Sequence, residues 1–235
     1  MSLSSAKDRL GTAISKTLQQ LLILAVLVLG VSWVNTYSER LLQGLMGSSA
    51  ARWLFASIGT PVHEASHALM ALLFGYRIVE FRPFIADPSS SMLGYVRYSY
   101  VPGGFISQIG HFFVGIAPVF LPFIVLYLLY RWLLPSGIWS ERRLHWRRLF
   151  HIRTLLFVYL FAQIVLHMRS SPADLQNALY GLPFLLLLIF LIGLIWPRAL
   201  DYLQRNSIRL TVLALAFAGI DFLLVRGALF LIAAR

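Results

Sequence analysis

From Ala178 to Trp196 the chain runs without one charged side chain, and it does so again over Leu18–Val34, Phe105–Tyr130, Thr154–Met168 and Leu210–Ile220. An apolar helix of about 20 residues matches the roughly 30 Å hydrocarbon core of a bilayer. Runs of this kind exceed what a soluble core needs. Composition agrees: 59% of the 235 residues are hydrophobic and 12% charged, about half the charged share of an average soluble domain. The chain reads as a multi-pass integral membrane protein in contact with the lipid bilayer.

The formal net charge of +11 is mostly arginine, with Lys7 and Lys16 the only lysines and six of twenty basic residues between Arg131 and Arg153. These charges flank spans instead of lining one soluble face. Anionic headgroups are therefore the expected contact, and a nucleic-acid partner is not expected. They are spread too evenly between the two sides to set an orientation. With no cysteine, disulfides and thiolate metal sites are excluded, so any bound metal must take nitrogen and oxygen ligands.

The fold class expected is an all-α polytopic membrane protein in a single domain, 1–235, with a polar N-terminal tail over 1–16. About six transmembrane segments are expected, at Leu18–Val34, Ala50–Tyr76, Phe105–Leu134, Thr154–Met168, Ala178–Trp196 and Leu210–Ala233. Thr60 and Pro61 resemble an N-cap and first helical position, predicting a helix restart there. Between Arg77 and Val101 the texture changes. Val79 and Phe81 alternate with Glu80 and Arg82, and Val96, Tyr98 and Tyr100 alternate with Tyr95, Arg97 and Ser99. Period two around the turn Asp87-Pro88-Ser89-Ser90-Ser91 predicts a small membrane-associated β-hairpin over about 77–101. Gly110, Gly115, Pro118 and Pro122 predict a kink in the span that follows.

His63-Glu64-Ala65-Ser66-His67 fits the pattern H-E-x-x-H. On a helix, residues four apart share a face, so both imidazoles can reach one ion. Glu64 stands beside them, free to take a proton from water and return it to a leaving amine. Three ionisable groups in five residues are costly within a bilayer and mark a functional site.

A catalytic zinc commonly has a third protein ligand. Asp174 is the choice, because the break Arg169-Ser170-Ser171-Pro172 would place it within the membrane, where irregular backbone is tolerated beside a cavity. The same residues also read as Ser-x-x-Asp, a helix-capping pattern. Asp221 is the runner-up, but its companion Arg226 suggests structural pairing with neighbouring helices. His167 is a candidate for orienting a ligand or substrate. His111, between Gly110 and Gly115, is a candidate for packing near the site. His145 and His151 lie in the basic loop and read as solvated.

On these residues the chain resembles the site-2 protease superfamily of intramembrane zinc metalloproteases. The resemblance covers roughly 59–185, taken as the catalytic core. It rests on His63-Glu64-x-x-His67 within an apolar segment, the following hairpin, the Gly/Pro-bearing span and a later aspartate. It implies Zn2+ held by His63, His67 and Asp174, with Glu64 as general base and a membrane protein or peptide as substrate. The implied location is a bacterial cytoplasmic membrane. Ser171-Pro172-Ala173-Asp174-Leu175 departs from the family's Asp-Gly type motif, and there is no PDZ-like insertion, so the match is to a compact, divergent branch. Two rivals share the motif. A CAAX-prenyl-protease-like enzyme would need an acid such as Glu80 as third ligand. A metal transporter or non-catalytic scaffold would not depend on Glu64.

Overall fold

The computed structural model describes residues 3–87, 89–90, 92–134, 139–140, 143–144 and 150–233. His145, Pro88 and Ser91 lie outside the described residues, as does much of the basic loop.

The longest element comes first. Helix α1 covers Leu3–Met46, so the expected polar tail is helical from Leu3 onward and continuous with the first span. A four-residue helix α2, Ser48–Ala51, leads into a π turn, Arg52–Ala56, and then α3, Ser57–Leu73. Strands β1, Arg77–Arg82, and β2, Tyr95–Ser99, follow. Helices α4, Phe105–Phe120, and α5, Pro122–Leu133, come next, then the two-residue strands β3, Trp139–Ser140, and β4, Arg143–Leu144. Helices α6, Ile152–Leu166, α7, Pro172–Ile195, and α8, Pro197–Ala233, complete the order.

The molecule is mostly helical, and four helical stretches are long and apolar enough to cross a bilayer: 7–46, 105–133, 172–195 and 197–230. Six are not found by that measure among the described residues. The segments that fall short are α3, with 17 residues, which carries the H-E-x-x-H motif, and α6, with 15.

Cross-chain contacts set the helix directions. Lys16 pairs with Asp201, Gln20 with Ser207 at 2.9 Å, and the Tyr37 ring lies tilted against Phe222 with centroids 5.9 Å apart. Both numbers rise together, so α1 and α8 run parallel. Asn35 meets Val165 and Met168, Ser32 meets Ser170, and Gly193 lies against Ala13. Thus α6 and α7 run in one direction, antiparallel to α1, as two halves of a single broken path.

That break needs help, because a buried, unpaired backbone group costs about 1–3 kcal/mol. Asn35, fully buried, donates its amide N–H groups to the carbonyls of Val165 and Met168 at 2.6 and 3.2 Å. The Ser170 N–H donates to the Ser32 hydroxyl at 3.0 Å. Helix α1 therefore supplies the partners that irregular backbone at depth requires.

The helix restart expected at Thr60-Pro61 is displaced. The π turn over 52–56 loosens the hydrogen-bond ladder first, α3 is already helical from Ser57, and Pro61 sits inside it. Thr60 caps nothing, and its hydroxyl is buried without a partner among the described residues. Where the sequence predicts a kink, α4 and α5 are separated by the single residue Leu121, whose backbone keeps helical dihedrals (φ −63°, ψ −35°).

The hairpin expected over 77–101 is an antiparallel pair, with Arg77 opposite Ser99 and Arg82 opposite Tyr95, and a register shift between Ile78 and Glu80. Its connection is a long loop, which Arg52 holds by donating to the carbonyls of Ile85, Ser90 and Met92 at 3.2, 2.6 and 3.2 Å. Asp87 starts the turn by accepting from the Ser89 N–H and hydroxyl at 2.9 and 2.8 Å.

Candidate metal centre

Helix α3 places His63 and His67 one turn apart, and each ring is fixed by a backbone carbonyl. His63 Nδ1 lies 2.9 Å from the oxygen of His167, and His67 Nδ1 lies 2.7 Å from that of Val114. A carbonyl can only accept, so each Nδ1 carries the proton and each Nε2 keeps its lone pair. The two Nε2 atoms then face each other at 3.1 Å. Asp174 completes the ring of acceptors, with Oδ1 3.1 Å from His67 Nε2 and Oδ2 3.7 Å from His63 Nε2.

Lone pairs and a carboxylate brought this close repel unless a proton or a metal cation lies among them. Bonds of about 2.0–2.1 Å to a tetrahedral ion put ligand atoms about 3.3–3.4 Å apart, close to the three separations observed. All three ligand atoms lie within 4.8 Å of one another. The donor set and its spacing fit one small divalent ion.

The capping and ligand readings of Asp174 describe the same side chain. Ser171 Oγ accepts from the Asp174 N–H at 3.2 Å, and Asp174 Oδ2 accepts from the Ser171 N–H at 2.7 Å. This capping box starts α7 and holds the carboxylate still, leaving Oδ1 for His67. Close helix approach makes the meeting possible. A Cβ at Gly115 of α4 would run into the Asp174 carbonyl and lie 2.8 Å from the Ala178 nitrogen. One at Gly59 of α3 would run into the Gln163 carbonyl and the His167 ring of α6.

Glu64 faces a cavity of about 470 Å³ together with His63, His67, Asp174, Asn177 and Tyr98. It is buried, and among the described residues its carboxylate accepts no hydrogen bond, so it is free to accept a proton. Gly94 lets the hairpin loop close beside it, since a Cβ there would stand 2.9 Å from Glu64 Cγ. A second cavity of about 280 Å³, lined in part by Glu39, Arg52 and Arg169, shares Leu93, His167 and Arg169 with the first. Arg169 is held there by Glu39 at 2.6 Å.

The other candidates fall into place around this centre. His167 meets His63 through its backbone carbonyl, while its own Nδ1 turns to the Gln163 carbonyl at 2.8 Å. His111 lies outside the ligand cluster and is bonded to Asn177, Nδ1 to Oδ1, at 2.7 Å. Asp221 is buried on α8 outside the ligand cluster. Its companion Arg226 lies over the Phe222 ring of the same helix at 5.9 Å, and no ion pair to a neighbouring helix is found for either residue among the described residues. Glu80 also stands outside the cluster. The Tyr95 hydroxyl at 2.6 Å, then Arg82 at 3.3 Å, hold its carboxyl below the usual carboxylate range. His151 is exposed.

Reading the sequence missed Asn177, Tyr98 and Asn35. Asn177 had a signal, being three residues after Asp174 and hence on the same helical face. Nothing local marks Asn35, whose role depends on α1 lying against the break.

Comparison with family models, characterised proteins and solved structures finds no match to this chain.

Proposed function

We propose that the chain is an intramembrane zinc metalloprotease, resembling the site-2 protease superfamily, that hydrolyses peptide bonds within or next to transmembrane segments. One observation carries this reading: two imidazole Nε2 atoms and a carboxylate converge within 4.8 Å of one another, beside a cavity that also holds an unengaged glutamate. His63, His67 and Asp174 hold the ion, and zinc is the choice because two imidazoles and a carboxylate suit it. When bound, zinc supplies Lewis acidity, polarising the scissile carbonyl and easing loss of a proton from water.

The protein's own groups do the rest. A substrate helix must unwind locally to expose its carbonyl. In a two-stranded sheet β2 keeps one unpaired edge, and its residues Tyr95, Val96 and Tyr98 line the cavity, so an extended segment can pair there by main-chain hydrogen bonds. Glu64 takes a proton from water as the water oxygen adds to the carbonyl carbon. It then gives that proton to the amide nitrogen as the C–N bond breaks, so that one peptide bond and one water become a carboxylic acid and an amine.

The helix directions support five membrane passages: α1, α3, α4–α5, α6–α7 and α8. Broken path α6–α7 counts once, where the sequence suggested two spans.

The test is Glu64→Gln, assayed in proteoliposomes on a single-span model peptide with a helix-breaking centre. The variant is expected to bind zinc like the wild type and to cleave nothing. Cleavage at the wild-type rate would remove Glu64 as the base, and wild-type protein that cleaves nothing would remove the protease reading.

A further inference from the structure

We propose that the hydroxyl of Tyr98 is a catalytic hydrogen-bond donor to the oxyanion that forms during peptide hydrolysis, positioned by Asn177 and His111. The inference rests on the protease reading above and adds to it a residue outside the H-E-x-x-H motif.

The argument begins at His111. The backbone carbonyl of His111 can only accept, so the Asn177 atom facing it at 3.1 Å is Nδ2, which donates. That fixes the amide the right way round and turns Oδ1 to the His111 ring, where it accepts from Nδ1–H at 2.7 Å. His111 is itself clamped, with Tyr100 edge-on at 4.3 Å and Tyr76 at 5.6 Å between ring centroids. One Nδ2–H of Asn177 remains, and Asn177 and Tyr98 line the same cavity. The phenol oxygen can accept that proton, leaving its own O–H to donate into the cavity.

Position supports the role. Tyr98 projects from β2 into the cavity that holds Glu64, His63, His67 and Asp174, and its ring packs on Tyr76 at 5.3 Å. The neighbouring hydroxyls are not available. Tyr95 gives its hydroxyl proton to Glu80 at 2.6 Å, and the Thr60 oxygen is buried. As the water oxygen adds to the carbonyl carbon and its proton passes to Glu64, the C=O π pair moves onto the carbonyl oxygen. That new anion receives the Tyr98 hydrogen bond, which is weaker on the neutral carbonyl and so favours the transition state. Collapse re-forms the C=O bond, breaks C–N, and sends the Glu64 proton to nitrogen.

The experiment uses full-length, zinc-loaded protein with Tyr98→Phe, Asn177→Leu and the double variant. Three readouts are taken: kcat and KM on the single-span peptide, zinc per chain, and affinity for two peptides. One of these is a tetrahedral phosphinic analogue and the other a product carboxylate. Removing one oxyanion donor lowers kcat about 10²–10³-fold. Tyr98→Phe is expected to show that loss with KM and zinc content unchanged. Phosphinic-analogue affinity should fall by a similar factor, and product affinity should hold. Asn177→Leu is expected to lose less, and the double variant to match Tyr98→Phe alone, because Asn177 acts through Tyr98. A wild-type kcat in Tyr98→Phe, an equal fall in affinity for both peptides, or additive losses in the double variant would each overturn the proposal. Failure of the protease reading is separate, appearing as wild-type protein that does not cleave the peptide or needs no zinc. The analogue-to-product affinity ratio still reports on Tyr98 there, since it needs no turnover.

Discussion

Asp174 uses its two oxygens differently. Oδ2 accepts from the Ser171 N–H at 2.7 Å and Oδ1 stands 3.1 Å from His67 Nε2. The sequence pattern Ser-x-x-Asp announced the first contact, and the break at Arg169-Ser170-Ser171-Pro172 suggested the second. What the linear pattern could not show is that one carboxylate serves both ends. Substitutions can separate the two roles. Asp174→Asn keeps an oxygen for the capping bond but loses the charge, so it should bind little metal while the chelated protein unfolds within about 0.5 kcal/mol of wild type. Ser171→Ala should do the reverse, keeping one metal per chain while losing about 1 kcal/mol of stability with the cap. Elemental analysis and thermal unfolding of chelated protein check the pair. A metal-replete Asp174→Asn protein would remove Asp174 from the ligand set.

At the scale of elements, the site depends on helices that approach more closely than side chains usually permit. Gly115 shows this best, since a Cβ there meets only the backbone of α7 and the Ala178 methyl, none of which can rotate away. Gly115→Ala is expected to cost about 1–3 kcal/mol by overpacking and to weaken metal binding by displacing Asp174. Gly219→Ala, where a Cβ meets nothing within 4 Å, should change neither, and thermal midpoints with chelator competition compare the two. Equal behaviour of both variants would refute the link between this crossing and the centre. The sequence made the hairpin legible through its alternation, and α7 through its cap. It misplaced the start of α3 because a π turn has no pattern of its own. The partners of the break were not legible either: Asn35 and Ser32 lie 130 and 138 residues away, and only packing brings them there.

For the whole molecule, the parallel course of α1 and α8 has a direct consequence. In the proposed five-passage arrangement, the starts of both helices lie toward one face and their ends toward the other. Six alternating spans would instead put the start of α1 and the end of α8 on the same face. The chain has no cysteine, so single probes at Gly11→Cys and Gly227→Cys, both facing open space, can be placed cleanly. In sealed vesicles an impermeant maleimide is expected to label one of them from outside and the other only after permeabilisation. Labelling of both from the same side would contradict the parallel arrangement. The central claim is the metal centre itself, and X-ray absorption with elemental analysis of the purified protein tests it most directly. One zinc per chain is expected, with two imidazole nitrogens and carboxylate oxygen in its first coordination sphere, and His67→Ala should abolish it. Protein that takes up no zinc, or zinc whose imidazole signal survives His67→Ala unchanged, would contradict the claim.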